Sequence, residues 1–290
     1  MAPALRAALL SLTAVAAAPA PGPLEPVPTD AQCRALPALP AHRLPLRVGE
    51  RLDYDIDFLG GVKAGTVTLE VKPPEHQEGG VTLPIAVHAE SNEFFSKFGK
   101  FDSSAVSYLR PRDLHPLRYH EDFVEAGRKY WTDVFFPSSG PRLMRTRYGN
   151  PSSSGEKIYP FAADALDVVS AFYVLRSLDL HVGQHLCFDA YSSRTIWRIW
   201  GKVDAREMVA TPAGNFQALR LAGVAARVAM PKVRRDVYLW VSDDAQRLPV
   251  AAIGDLDIGP LRALLSGIGS APRAARDPPP APAAAAGWKE

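Results

Sequence analysis

The two cysteines, Cys33 and Cys187, are the reactive side chains whose chemistry this sequence constrains most. In an oxidising compartment such a pair is a candidate disulfide, and two unrelated buried thiols are the alternative. About fifteen residues separate Cys33 from the first predicted strand, and they reach roughly 50 Å when extended, so distance permits the bond. Strand alternation points Cys187 away from its apolar neighbours Leu186 and Phe188, toward an arm lying across the sheet. We therefore predict a Cys33–Cys187 disulfide.

Motifs for catalysis and for metal binding are absent from the sequence, which contains no G-x-S-x-G, P-loop or H-E-x-x-H pattern. His181 and His185 are four residues apart, but they flank the start of a predicted strand, where the spacing of metal ligands on a helix does not apply. We predict no metal, no cofactor and no catalytic residue. A hydrolase site assembled from scattered residues such as His120 and Asp122 is the alternative.

Three carboxylates, Asp53, Asp55 and Asp57, alternate with apolar residues in the segment RLDYDIDF, residues 51–58. They therefore share one face of a predicted half-buried strand. Carboxylate oxygens are ligands that Ca²⁺ prefers, but a straight strand lacks the loop that wraps the cation. The other interpretation is a solvated outer face of the sheet.

Aromatic residues on two later strands indicate a binding surface. Strand alternation places Trp200 on the face opposite Trp197, and it places Tyr238 and Trp240 opposite Leu239. A groove of aromatic side chains with a few charges suits an acyl chain or a glycan. We predict that Trp200, Tyr238 and Trp240 bind a ligand. The alternative is that loops or a second layer of structure cover these rings.

Composition and the chain ends indicate an exported protein. Residues 1–20 resemble a secretory signal peptide, with Arg6 before an apolar run too short for a membrane anchor. A disordered Ala/Pro leader is the alternative. Residues 21–45 read as a Pro/Ala-rich arm, residues 46–268 as one β domain, and residues 269–290 as a disordered Ala/Pro tail. We expect a periplasmic or secreted protein without a transmembrane span.

Charge limits the kinds of partner. The formal net charge is +2, and 47% of the residues are hydrophobic, which is enough for a substantial core. A net charge this small gives no strong field that favours nucleic acid or an anionic membrane. We expect no nucleic-acid partner, and a lipid or an envelope protein as the possible partner.

One long helix is predicted, at about residues 164–178, among segments that otherwise alternate like strands. Asp164 suits the N-cap, and Asp167 lies in the first turn, where the helix dipole favours a carboxylate. The helix is apolar nearly all round, which is typical of a buried helix. We therefore predict a mostly β fold, with a single curved antiparallel sheet, an open barrel or spiral, wrapped around this helix. An amphipathic helix packed on one sheet face is the alternative. The expected core includes Leu166, Val169, Phe172 and Leu175.

An internal repeat relates the two sides of the helix. The segments LRVGERLDYDI, residues 46–56, and LHVGQHLCFDA, residues 180–190, share Leu, Val-Gly, Leu, an aromatic residue and Asp at an offset of 134 residues. Any two amphipathic strands that follow a glycine turn can look alike. The other interpretation is two similar half-sheets, one before and one after the helix, that enclose it together.

Several segments resemble a bacterial envelope family catalogued as domain of unknown function 3108. They are VGERLDYDIDFLGGVKAGTVTLEV, YVLRS with LHVGQ, TPAGNFQALRL and VYLWVSDDAQRLPV, in this order, and the resemblance covers about residues 48–268. It implies an exported, mostly β protein, and it brings no catalytic residues that can be transferred to this chain.

We therefore expect a non-enzymatic, exported cell-envelope protein that binds an apolar ligand, lipid-like or glycan-like, or an envelope partner in a curved sheet groove. A structural or interaction protein of the envelope without a ligand is the main alternative. An uncharacterised hydrolase is the third.

Overall fold

The computed structural model describes most of the predicted domain and part of the arm before it. The described residues are 26–30, 32–33, 36–40, 46–58, 61–77, 80–94, 96, 101–125, 127–137, 142–161, 165–192, 194–256 and 259–270. The predicted signal peptide and residues 271–290 of the predicted tail lie outside these residues. The last strand reaches Ser270, slightly beyond the predicted end of the domain at residue 268.

Short strands alternate with turns along the described chain, and one helix interrupts them. The strands are β1 (Glu50–Phe58), β2 (Val62–Val71), β3 (Glu75–Gln77), β4 (Gly80–Ser91), β5 (Asp102–Leu109), β6 (Pro116–Glu125), β7 (Arg128–Phe135), β8 (Leu143–Asn150), β9 (Ser153–Pro160), β10 (Ala165–Asp167), β11 (His185–Ser192), β12 (Thr195–Thr211), β13 (Gly214–Arg227), β14 (Met230–Ser242), β15 (Pro249–Leu256) and β16 (Gly259–Ser270). The helix is α1 (Val168–Ser177).

The strands form one open sheet in the order β10-β11-β12-β13-β14-β15-β16-β1-β2-β4-β5-β6-β7-β8-β9, with β3 added at β4. The first strand pairs with the last one, so the seam between β1 and β16 joins the two halves of the sheet. Neighbours along this order are antiparallel except β10 and β11, which are parallel. The prediction of a mostly β protein with a single open sheet is confirmed. The parallel pair of β10 and β11 departs from the predicted antiparallel arrangement.

The prediction of a long helix is wrong. α1 has ten residues, and Asp167, in an extended conformation, is its N-cap. Asp167 accepts hydrogen bonds from the amides of Val169 and Ser170 at 2.8 Å each, and Ser170 Oγ accepts from the amide of Asp167 at 2.9 Å. Because of this reciprocal cap the helix begins directly after Asp167. Residues Ala165–Asp167 pair with β11 instead of extending the helix toward the N-terminus. Asp164, the predicted cap, lies outside the described residues. Among those residues, no helix is long and apolar enough to span a membrane.

The core lies between α1 and the inner face of the sheet. Leu166, Val169 and Leu175 are buried there, and they pack with Leu52 and Tyr54 of β1 and with inward-facing residues of the other strands. Eight of the ten residues of α1 are buried. Phe172 was expected in the core, but it is only half-buried and packs against the edge of the cluster.

The internal repeat extends to the backbone. Gly49 and Gly183 have positive φ angles of 87° and 92°, a conformation that favours glycine. The Gly49 amide donates to the carbonyl of Val71 in β2 at 2.8 Å, and the Gly183 amide donates to that of Val203 in β12 at 2.7 Å. The same turn therefore opens each half of the sheet, which favours the interpretation as two similar half-sheets on either side of α1.

Candidate functional site

Cys33 and Cys187 form a disulfide, with their Cα atoms 5.1 Å apart. The predicted bond is thus confirmed. Cys187 lies opposite Trp200 in the pairing of β11 with β12, whereas its neighbours Leu186 and Phe188 are buried in the core. Because alternate residues of a strand face opposite sides, the arm that carries Cys33 crosses the outer face of the sheet.

Arg198 fastens the same arm to the sheet. Its Nε and Nη2 donate to the two carboxylate oxygens of Asp189 at 2.9 and 3.1 Å. Its Nη1 donates to Asp30 Oδ1 at 2.7 Å and to the Pro28 carbonyl at 3.1 Å, both in the arm. A bidentate guanidinium–carboxylate pair fixes the orientation of the arginine as well as balancing its charge. Arg198 therefore holds the arm at a defined position on β11 and β12.

The three aspartates of β1 are each neutralised by a different cation. Asp53 pairs with Arg51 at 3.0 Å, Asp55 with Lys63 at 2.8 Å, and Asp57 with Arg262 at 2.9 Å. This arrangement favours the interpretation of an outer sheet face over a calcium site. In the described part of the chain, no group of three or more His, Cys, Asp or Glu side chains is placed to hold a metal ion.

His120 lies among carboxylates on the outer face of β6. Its Nδ1 is 3.7 Å from Asp133 Oδ1, and its Nε2 is 3.0 Å from Asp122 Oδ2. The neighbouring carboxylates of Asp133 and Asp122 raise the pKa of His120 above its ordinary value. Asp133 also receives two hydrogen bonds from Arg118, at 2.6 and 2.9 Å. The contacts of His120 are those of a surface charge network, and a hydrolase would need a nucleophile that the sequence motifs do not supply.

The three aromatic residues predicted to bind a ligand lie on the outer face. Trp200 is buried beside the disulfide, with 7% of its surface exposed. Tyr238 and Trp240 are half-buried, with ring centroids 6.1 Å apart, and Trp240 Nε1 donates to Glu207 Oε1 at 2.7 Å. Glu207 also contacts Arg220 at 3.4 Å. A role for these rings in ligand binding stays a prediction, and the structure adds a different surface on the opposite face.

This second surface is the upper inner face of the sheet, where the upper end is the Phe58 end of β1. It begins one row of paired residues beyond the core residue Leu239. That row crosses six neighbouring strands, from β1 through β16, β15, β14 and β13 to β12. Its residues, in this order, are Phe58, Leu261, Gly254, Val237, Gly223 and Gly201. All six are apolar. The first four are half-buried, so partly exposed apolar surface continues from the closed core toward solvent.

Three glycines shape this row in two ways. A methyl group at Gly201 or Gly223 would collide with the backbone of the facing strand, so β12 and β13 approach closely and the sheet can curl there. A methyl group at Gly254 would meet nothing within 4 Å. Gly254 thus leaves open space directly above the sheet, between the half-buried side chains of Val237 and Leu261.

Trp197 and two arginines lie at the upper end of the same face. The guanidinium carbons of Arg227 and Arg235 are 5.2 and 5.1 Å from the centre of the Trp197 ring. Arg235 also donates to the Asp255 carbonyl at 2.9 Å. The sequence pattern placed Trp197 on the face opposite Trp200, but neither arginine was predicted to lie beside it. Arg235 could have been recognised from the sequence, because strand alternation places it on the same face as the apolar residues Val237 and Leu239.

A cavity of about 470 Å³ lies at the lower end of the sheet. Its wall combines the turn at Gly49, the end of α1 and the turn between β14 and β15, which are three of the segments that carry the family resemblance. Arg176 donates to Glu50 at 2.6 and 3.2 Å and to the Gln246 carbonyl at 2.8 Å. These recognised segments therefore meet at a buried ion pair, which gives them a structural role.

Asp167 is a fully buried carboxylate. Besides capping α1, it accepts a hydrogen bond from Ser107 Oγ at 2.6 Å. Burial raises the pKa of Asp167 from 3.8 to about 6. Its hydrogen bonds all serve the cap and β5, so its chemistry is that of an enclosed structural group.

Comparison with known proteins places the chain in a family and a fold. A family model described as "Protein of unknown function (DUF3108)" matches residues 53–266. A β-barrel-like protein of domain of unknown function DUF1849 from Brucella abortus has a TM-score of 0.53 at 10% identity, over 79% of this chain and 98% of that one. At this identity the likeness concerns the fold alone.

Two further solved structures cover the chain with lower similarity. One is a protein from Bacteroides fragilis predicted to be exported, with a YmcC-like fold, at a TM-score of 0.34 and 10% identity over 80% of this chain and 100% of that one. The other is a protein from Parabacteroides distasonis predicted to be a lipoprotein, at 0.34 and 11% over 81% and 100%. No curated protein matches the sequence.

Proposed function

This chain belongs to the family described as protein of unknown function DUF3108, and we propose that it is an exported, non-enzymatic envelope protein that binds an apolar chain on its upper inner face. The observation that carries the proposal is the half-buried apolar row that leads out of the core and has open space above Gly254. Monomeric proteins leave contiguous apolar surface exposed mainly where something binds.

The disulfide supports a location outside the cytoplasm. Disulfides persist in the periplasm and in secreted proteins, whereas cytosolic reductants keep thiols reduced. The Cys33–Cys187 bond holds the arm in place, and the sequence before the arm resembles a signal peptide. A periplasmic or secreted protein fits both features.

The chemistry of the upper inner face fits a lipid-like ligand. Val237, Leu261 and Phe58 offer apolar contacts, and Gly254 leaves room for a chain to lie against the backbone. At the upper end, Arg227 and Arg235 flank Trp197, and guanidinium groups pair well with phosphate and carboxylate. An acyl chain that ends in an anionic group matches this order of apolar and cationic surfaces.

Two matched glycine variants test the ligand site. Gly254→Leu fills the open space on the upper inner face, whereas Gly269→Leu adds the same side chain at the lower end, where a methyl group also meets nothing within 4 Å. The probe is a fluorescent fatty acid titrated into the full exported protein. We expect Gly254→Leu to weaken binding at least tenfold and Gly269→Leu to leave it unchanged.

Equal binding to the wild type and to Gly254→Leu would overturn this site, as would a wild type that does not bind the probe. Native mass spectrometry of the protein purified from its own host is the second measurement. A co-purifying lipid supports the proposal. A partner chain without lipid would favour the alternative of a structural protein of the envelope.

A further inference from the structure

The tip of the β13–β14 hairpin, residues 228–231, exposes four apolar residues in succession: Val228, Ala229, Met230 and Pro231. Val228 is 41% exposed and Met230 50% exposed. Turn residues are ordinarily Gly, Asn, Asp, Ser or Pro, and a run of exposed apolar residues is unfavourable in water unless it serves a function. The exposed side chains of this tip therefore fit a partner that has an apolar surface.

The tip is held in a defined position. The amide of Val228 donates to the Ile196 carbonyl at the start of β12 at 3.0 Å. Residues 231–233 form an extra loop in β14, because the pairing passes from Ala226–Arg234 directly to Arg227–Met230. Arg234 Nε closes this loop with a hydrogen bond of 3.1 Å to the Pro231 carbonyl. The apolar residues are thus presented by a folded hairpin.

Four cations surround the tip. Within residues 227–236 the basic residues are Arg227, Lys232, Arg234 and Arg235, and the only acidic residue is Asp236. Arg227 and Arg235 lie against the Trp197 ring, and the guanidinium of Arg234 is 6.0 Å from the centre of the Trp200 ring. The rings keep these charges beside the apolar tip, while Lys232 is exposed.

We propose that this hairpin docks on the surface of an anionic lipid bilayer. An apolar group flanked by cations is the arrangement that lies at a membrane interface, with the apolar side chains at the boundary between headgroups and acyl chains and the cations beside the phosphates. Each Lys or Arg near an anionic bilayer strengthens binding about fivefold. The net charge of +2 for the whole chain conceals this local excess of positive charge.

The docking surface does not depend on the ligand site, although the two are adjacent. Arg227 and Arg235 belong to both, so a docked hairpin would turn the Trp197 end of the upper inner face toward the bilayer. Gly254→Leu should therefore leave membrane binding intact even where it abolishes ligand binding. Failure of one proposal is distinguishable from failure of the other.

Vesicle flotation with the full exported protein tests the docking surface. The vesicles contain phosphatidylcholine alone or equal parts of phosphatidylcholine and phosphatidylglycerol, at about 0.15 M salt. We expect the wild type to float with the anionic vesicles only. The double variant Val228→Ser/Met230→Ser should bind the anionic vesicles at least fivefold more weakly than the wild type. Lys232→Glu should also bind them at least about fivefold more weakly.

Met208→Ser is the matched control, because Met208 is 63% exposed on β12, far from the hairpin tip. It should bind like the wild type, and circular dichroism should show all variants folded. Absence of the wild type from anionic vesicles would overturn the proposal. So would equal binding to both vesicle types, or a hairpin variant that binds no worse than Met208→Ser.

Discussion

Arg176, in the last turn of α1, makes two hydrogen bonds with Glu50 at the first residue of β1, at 2.6 and 3.2 Å. The Arg176 side chain is fully buried, and that of Glu50 is 13% exposed. Removing one partner of a buried ion pair leaves an uncompensated charge, which typically destabilises by about 3–5 kcal/mol. The pair therefore makes the end of the helix and the start of the sheet depend on each other.

Glu50→Ala should lower the free energy of unfolding by about 3–5 kcal/mol, measured by urea denaturation. Glu70→Ala is the control, since Glu70 belongs to a partly exposed pair with Lys72 and pairs of this kind contribute about 0–1 kcal/mol. Equal losses in the two variants would show that the buried pair has no special role.

Replacing Cys33 by Ser should destabilise the protein by about 2–5 kcal/mol, because the disulfide restricts the unfolded chain across a separation of 154 residues. Cys187→Ser should give the same loss. The reduced wild type should denature at the same urea concentration as these variants. Peptide mapping without reductant checks the bond itself, and two alkylatable thiols in protein purified from its own host would contradict it.

Asp167 should make the stability depend on pH. Burial raises its pKa from 3.8 to about 6, so between these values the folded protein holds a proton that the unfolded chain has released. The free energy of unfolding therefore falls as pH rises through this window, by about 3 kcal/mol in total at 1.4 kcal/mol per pKa unit. The stabilisation is present at the acidic end and is lost above about pH 6.

Asp167→Asn cannot ionise, and its amide oxygen can still cap α1. We expect urea melts between about pH 4 and 6.5 to show a smaller fall in stability for this variant than for the wild type. Glu93→Gln, at an exposed position, should leave the dependence unchanged. Parallel curves for the wild type and Asp167→Asn would mean that the buried carboxylate ionises normally.

Two core substitutions test the revised position of the helix. Leu166→Ala removes a fully buried side chain and should destabilise by about 2–5 kcal/mol. Phe172→Ala should destabilise less, by about 1–2 kcal/mol, because the ring is half-buried and only part of its apolar area is removed from water. A larger loss of stability for Phe172→Ala than for Leu166→Ala in urea melts would show that Phe172 lies at the centre of the core.

Alternation along the strands allowed much of the fold to be predicted, because a period of two fixes which side chains face inward. The orientation of Cys187 and the inward side of β1 follow from it. The start of α1 did not follow, because two aspartates compete as caps and the choice depends on pairing of Ala165–Asp167 with β11. Tertiary contacts thus overrode local helix signals.

The pairing of β1 with β16 also could not be predicted, because an apolar face does not identify the neighbouring strand. The upper inner face was missed for a related reason. Its distinguishing residues are a glycine with open space above it, Gly254, and two arginines on an apolar face, Arg227 and Arg235. Each has meaning only once the strands beside it are known.

The seam between β1 and β16 determines when the protein can finish folding. Glu50 at one end of the seam pairs with Ser270, so the centre of the sheet joins the first strand to the last one. Closing so long a loop is slow, because its entropy is lost before the contacts are made. A chain emerging from its N-terminal end leaves one edge of β1 unpaired until the last strand arrives. The half-made protein therefore stays unfinished at its centre until β16 is available to pair with β1.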